Sequence, residues 1–133
     1  MHIMMSRGVR GATTVTENTP EAILEATREL LQALIEANGI EEEYVASVIF
    51  TLTPDLNAAY PARAARDLGW TQTALMGCQE VDVPGGMPMC IRILIHWNTE
   101  KRIDQLNHIF LRGAAALRPD LSDNRNAVQN GRS

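Results

Sequence analysis

The sequence predicts an α+β fold in which a mixed β-sheet carries its helices on one face, within a chain of 133 residues. Three observations point there. Ile23, Thr27, Leu30, Leu31, Leu34 and Ile35 recur at the three-and-four spacing of one buried helix face. Met89 to Trp97 alternates at strand period, with Ile91, Ile93, Ile95 and Trp97 in one row and Cys90, Arg92, Leu94 and His96 in the other. The segments read in order as strand, helix, strand, short helix, strand, strand, helix, a mixed succession that suits helices gathered on one side of a sheet. Such a sheet leaves its other face in need of cover. With only 5% aromatic residues to build a second layer, self-association is the expected remedy.

Each element has its own warrant. Residues 7 to 16 are rich in β-branched residues and hold Gly8 and Gly11, so they read as a first strand that permits close approach to its backbone. Thr19-Pro20-Glu21 opens the main helix: Thr19 caps, Pro20 suits the first helical position, and Glu21 and Glu25 complement the positive end of the helix dipole. Asn38-Gly39 stops it. Tyr44 to Thr53 reads as a buried strand ended by Pro54-Asp55, and Ala58 to Leu68 as a short helix with Pro61 in its first turn and Gly69 beyond its end. Gln72 to Met76 is expected to be a short strand. The turn signal Pro84-Gly85-Gly86 leads into the Met89–Trp97 strand. Asp104 to Ala116 has the moderate amphipathicity of a last helix, and Ser122 to Ser133 reads as a mobile polar tail. One domain over residues 1–121 is expected, with 122–133 as the tail.

Composition excludes several classes of function. The 45% hydrophobic and 21% charged residues are ordinary for one globular domain. The net charge of −4 makes nucleic acid a poor partner. Residues 17 to 43 hold Glu17, Glu21, Glu25, Glu29, Glu36, Glu41, Glu42 and Glu43 against Arg28 alone, a balance of −7 that leaves the remainder at +3. Of the twelve basic residues only Lys101 is a lysine. That bias suits forked recognition of carboxylate or phosphate, although a GC-rich coding sequence would produce it too. Cys78 and Cys90 form no C-x-x-C pair, so a zinc ribbon or a thiol redox site is not indicated. No apolar run reaches the ~18 residues of a membrane span, and the first residues lack the features of a signal peptide, so the cytoplasm is the expected location.

Arg92 is the anomaly, a guanidinium in the middle of an apolar strand. It is either an arginine on a solvated face or, given Cys90 and Leu94 beside it, a partly buried cation that needs an anionic partner. Arg10 sits beside Gly11, whose missing side chain would leave room for a ligand; an ordinary exposed strand position is the alternative. Arg63 and Arg66 lie on one face of the short helix, directly after Tyr60-Pro61, where a bridge to Asp67 would explain them equally well. Glu80 precedes the turn into the Arg92 strand. His96 and His108 lack metal-ligand spacing with each other or with cysteine. Neither a Ser/His/Asp arrangement, a phosphate loop nor G-x-G-x-x-G is present. Several arginines and one carboxylate without a nucleophile suit a dianionic small molecule, or a reaction that needs only positioning and charge stabilisation.

Five blocks carry a more specific signal: Arg7-Gly-Val-Arg-Gly-Ala-Thr-Thr-Val, Thr53-Pro-Asp-Leu-Asn-Ala-Ala-Tyr-Pro-Ala-Arg-Ala-Ala-Arg, Gln79-Glu-Val-Asp-Val-Pro-Gly-Gly, Cys90-Ile-Arg-Ile and Leu117-Arg-Pro-Asp-Leu. From about residue 7 to 121 the chain resembles the AroH-type (Bacillus-type) monofunctional chorismate mutases. The resemblance implies the fold of that family, a ferredoxin-like arrangement assembled as a homotrimeric pseudo-α/β-barrel with active sites at subunit interfaces. It also implies the pericyclic conversion of chorismate to prephenate without a cofactor or metal. By position, Arg92 matches the arginine beside the breaking ether oxygen. Arg10 matches the one that holds the side-chain carboxylate, and Glu80 the acceptor for the ring hydroxyl. Tyr60 resembles an aromatic wall, Arg63 and Arg66 basic residues at the mouth supplied by a neighbouring subunit, and Arg118 a basic residue at the start of the tail. Two positions depart from the pattern: Gly77 stands where relatives have Cys or Ser, and Phe110 where a relative has Tyr. Both changes are expected to weaken ground-state binding more than charge stabilisation. The rival readings are a trimeric module that senses a carboxylate metabolite without turnover, and an imine-deaminase-like protein.

Overall fold

The computed structural model describes residues 3–117. The expected tail and Arg118 lie outside the described residues. Strand β1 (Met5–Thr14) is followed by helix α1 (Pro20–Asn38), β2 (Val45–Leu52), the short helix α2 (Ala62–Asp67), β3 (Ala74–Gln79), β4 (Cys90–Thr99) and β5 (Ile109–Phe110). They form one five-stranded sheet in the order β3-β2-β4-β1-β5. β4 pairs antiparallel with both β1 and β2, while β3 runs parallel to β2 and β5 parallel to β1. The sheet is therefore mixed, as expected. A ferredoxin-like β-α-β-β-α-β succession is not followed, because both helices precede the last three strands.

α1 forms where capping and periodicity agree. The Ala22 N–H donates to Thr19 Oγ1 at 3.1 Å, Pro20 occupies the first turn, and Gly39 closes the helix in the left-handed conformation at φ 71°. Its buried side is Ile23, Ala26, Thr27, Leu30, Leu31, Leu34 and Asn38, with Ile35 only partly covered. Leu30, Leu31 and Leu34 pack on Val9, Val48, Phe50, Ile93, Ile95 and Trp97, where Ala62, Ala65 and Trp70 of the α2 region join the same core, while Ile23 and Ala26 pack with Val15, Leu56 and Ile91. Both helices thus cover one face of the sheet. Gly11 owes its identity to this face: an added Cβ would stand 2.7 Å from the Ile109 carbonyl oxygen and 2.9 Å from Leu30 Cδ1. The space at Gly11 is filled by α1 and β5, so it is not the ligand space the sequence suggested.

The expected last helix over Asp104 to Ala116 does not form. Tight 3-10 turns at Ile103–Gln105 and Arg112–Ala116 flank β5 instead. β1 would otherwise expose an unpaired edge, and the Leu111 N–H donates to the Ala12 carbonyl at 2.9 Å beyond the pairs Gly11–Ile109 and Ala12–Phe110. Arg112 adopts φ 52°, and the N–H of Gly113 reaches Thr14 Oγ1 at 3.0 Å. Tertiary hydrogen bonds of this kind outweigh a moderate helical pattern. The remaining differences are at boundaries. β1 begins at Met5 because it pairs with β4 as far as Thr99, α2 begins at Ala62, and β3 extends through Gly77 and Cys78 because the parallel ladder with β2 runs to Leu52 and Gln79. Among the described residues no helix is long and apolar enough to cross a membrane.

Candidate active site

The face of the sheet opposite the helices carries the Arg92 side chain, and beside it Ala12, Cys90 and Phe110 are covered by Ala114 of the Arg112–Ala116 turn. Ile91, Ile93 and Ile95 are at most 1% exposed on the helix side, so the alternation of β4 turns Arg92 and Leu94 the other way. Ala12 on β1 and Thr51 on β2 are the register partners of Arg92, and Arg10 and Ile49 are those of Leu94. Just past β3 the Glu80 N–H donates to the Leu52 carbonyl at 2.8 Å, which fixes where its carboxylate stands. Glu80 Oε1 then lies 3.4 Å from Arg92 Nε, with the two side chains 27% and 40% exposed. Around this pair is a cavity of about 390 Å³, lined by Arg10, Thr51, Glu80, Arg92, Leu94 and Phe110 among others. Arg92, Glu80, Arg10 and Phe110, each singled out from the sequence, meet here.

The electrostatics favour an anionic oxygen-rich ligand. The Arg92–Glu80 contact is an ion pair without hydrogen-bond geometry, so Arg92 Nε is buried with no hydrogen-bond partner, as is Thr51 Oγ1 opposite it. Unsatisfied donors of this kind are costly in a folded protein and mark a place where acceptors can bind. Cys90 is 1% exposed beneath the pair, and burial pushes its thiol up against the opposing pull of Arg92. It stays a neutral thiol rather than a nucleophile. Among the described residues no group of three or more His, Cys, Asp or Glu side chains could hold a metal ion.

The start of β4 is held firmly. Thr53 Oγ1 donates to Asp55 Oδ1 at 2.5 Å and accepts the Cys90 N–H at 2.9 Å, and Asp55 Oδ2 accepts the Met89 N–H at 2.9 Å. Met89 is thereby kept at φ 53°, a conformation that non-glycine residues seldom adopt. The clamp sets the entry of β4 two residues before Arg92.

Tyr60 and Gly77 lie elsewhere. Together with Pro61 and Cys78 they line a second cavity of about 500 Å³ that shares no lining residue with the first. Tyr60 is 81% exposed. Arg63 faces Asp67 at 3.9 Å with both side chains exposed, the helix bridge that the spacing allowed, and Arg66 is exposed on the last turn of α2. Neither lines the first cavity.

The sequence profile of the family described as "Chorismate mutase type I" matches residues 6–121. The chain belongs to the type I chorismate mutase family. It is 54% identical to "Chorismate mutase AroH" of Thermus thermophilus over 118 residues, 88% of this chain and 97% of that protein. It is 44% identical to "Chorismate mutase AroH" of Bacillus subtilis (strain 168) over 124 residues, 92% of this chain and 98% of that one. A solved chorismate mutase from Clostridium thermocellum superposes with a TM-score of 0.82 at 49% identity, covering 83% of this chain and 98% of its own. The protein is thus an enzyme, a chorismate mutase. Two polar groups of this mutase escaped the sequence reading. Thr51 was legible in principle, because the alternation of β2 puts it on the Arg92 face once the β2–β4 register is known. His108 shows nothing in sequence beyond its lack of metal-ligand spacing, because its partner, the Arg10 N–H on β1, is 98 residues away.

Proposed function

We propose that the protein isomerises chorismate to prephenate by an intramolecular pericyclic rearrangement, in the cytoplasm and on the way to phenylalanine and tyrosine, and that Arg92, Glu80 and Arg10 carry the reaction. The observation that carries this reading is the grouping of two arginines and one carboxylate around a single cavity of about 390 Å³, with a buried Arg92 Nε at its wall. In the rearrangement one C–O ether bond breaks as one C–C bond forms within the same molecule. No proton is transferred and no covalent adduct is made. As the ether bond stretches, its oxygen gains negative charge and the ring becomes relatively positive. A fixed guanidinium beside that oxygen stabilises the transition state more than the ground state. Arg92 is the guanidinium assigned to this role, and its fork can bridge the ether oxygen and a carboxylate, which a lysine cannot. Glu80 accepts from the ring hydroxyl near the developing positive charge. Arg10 holds the side-chain carboxylate so that the reacting carbons face each other. Phe110 supplies a ring wall without a hydroxyl.

The site on this reading is completed by a second copy in a homotrimer whose sheets close into a pseudo-α/β-barrel. Three features support it: the sheet face without helices, the exposed Tyr60, Met76 and Val81 at 81%, 61% and 81%, and the two cavities without a common residue. Tyr60, Arg63, Arg66 and Gly77 then approach from the neighbour. Purified protein should consume chorismate, read as loss of its absorbance, in proportion to enzyme and with prephenate as the product. Arg92→Ala should lose roughly 3 kcal/mol of transition-state stabilisation, about two orders of magnitude in kcat/KM, with an unchanged melting curve. Full activity in a folded Arg92→Ala protein would overturn the assignment.

A further inference from the structure

We infer that His108 is a positioning residue for the site: its neutral imidazole holds the backbone of Arg10, and Asn38 at the end of α1, paired with Asn107, holds the segment that bears the imidazole in place. The inference rests on the role proposed for Arg10. On the β5 side of β1 the backbone pairing begins only at Gly11 with Ile109. One residue earlier the Arg10 N–H has no strand to donate to, and it donates to His108 Nδ1 at 3.1 Å. The side chain thus takes the place of a ladder carbonyl. Nδ1 can accept only if the ring is neutral with its proton on Nε2. Burial, which pushes the His108 pKa below its ordinary value, favours that form.

What aims the ring is equally specific. The residue before it is clamped to the last turn of α1: the Asn107 N–H donates to Asn38 Oδ1 at 2.8 Å, Asn38 Nδ2 donates to the Asn107 carbonyl at 2.9 Å, and Asn107 Nδ2 donates to the Ala37 carbonyl at 2.9 Å. Asn38 is 2% exposed, and its Nδ2 also donates to the Leu34 carbonyl at 2.9 Å. Lys101 Nζ donates to the Asn38 carbonyl at 3.0 Å. Hydrogen bonds from the C-terminal turn of α1 to Asn107, and from the next residue, His108, to the backbone of Arg10, therefore tie the helix end to β1 through one short stretch of chain. The long arginine side chain inherits its starting point from that backbone. A small shift there moves the guanidinium relative to the substrate carboxylate, and misplacement of about 1 Å can cost on the order of 100-fold.

Two variants separate positioning from other roles. Asparagine places an acceptor oxygen where Nδ1 stands, whereas glutamine places it where Nε2 stands, out of reach of the Arg10 N–H. His108→Asn should keep KM for chorismate within about threefold, and His108→Gln should raise KM about tenfold with a smaller change in kcat, the signature of lost ground-state positioning. The affinity of a bicyclic dicarboxylate mimic of the transition state, measured by calorimetry, should fall in His108→Gln and be largely retained in His108→Asn. Both readouts are taken on protein whose melting curve shows it folded. Equal damage in both variants would mean that the imidazole acts by some other contact, and normal behaviour of both would mean that the bond is idle; either overturns the inference. A protein that binds the mimic but leaves chorismate intact would instead sink the proposed reaction, and the two affinities would still decide the role of His108.

Discussion

His108 shows how one residue can carry a consequence that its type alone does not announce. Because burial lowers its pKa, the folded protein takes up a proton at this ring less readily than the unfolded chain, whose histidine titrates near about 6.5. Between the folded value and about 6.5 the unfolded state binds more protons, so stability rises with pH in that window and is complete above it. Acidification from pH 7 toward pH 5 should therefore lower the melting temperature, and His108→Asn should remove this part of the loss. Circular dichroism melts of both proteins at the two pH values give the comparison; an equal drop in both would show that His108 does not contribute. Arg92 was legible from the sequence because a charge inside an apolar strand violates the alternation around it. His108 was not, since its partner is a backbone N–H and nothing in a sequence marks where a strand edge lacks a ladder. Gly11 was legible as a close approach but not as to what approaches, because the Cβ direction depends on which face α1 covers.

At the scale of elements, legibility follows locality. α1 was readable in full because its cap, first-turn proline, buried side and Gly39 stop lie within about twenty residues and agree with one another. The region from Asp104 to Ala116 was misread because its structure is dictated by β1 and by the end of α1, both distant in sequence. The Asn38–Asn107 pair joins that region to α1, as does the exposed ion pair of Arg112 with Glu29 at 3.3 Å. Replacing Asn38 by Ala strips the Asn107 N–H and carbonyl of their partners in a half-buried setting, where an unsatisfied group costs up to about 1–3 kcal/mol. Asn38→Ala should lower the unfolding free energy by about 2–4 kcal/mol in denaturant titrations. It should also loosen β5 ahead of the other strands, seen as faster amide exchange at Leu111, whose N–H pairs with Ala12. An unfolding free energy within error of the parent protein would show that the clamp is dispensable.

The whole molecule is a sheet with the helices on one face and the Arg92–Glu80 pair on the other. Its one-sidedness was legible from the mixed succession of strands and helices, although the last helix expected on that side is replaced by β5 and its flanking turns. The resemblance implies that the two groups of candidate residues come from different subunits, and within one chain they stay apart: Arg10, Glu80, Arg92 and Phe110 line one cavity, Tyr60 and Gly77 another. On the proposed trimer each site takes Arg92 from one protomer and Arg63 from its neighbour. The prediction is complementation. Arg92→Ala and Arg63→Ala proteins, each impaired alone, should regain activity when unfolded together and refolded as mixed trimers. Under random assembly about one site in four receives both intact residues, because a cyclic arrangement gives every site one ordered pair of neighbours. The recovered rate should approach that fraction of the parent protein's rate and should depend on subunit exchange, which tagged subunits verify. A mixture that exchanges subunits yet stays at the level of the impaired parents would place both arginines in the same chain's site, and the bare sheet face would then need a different explanation from a shared catalytic interface.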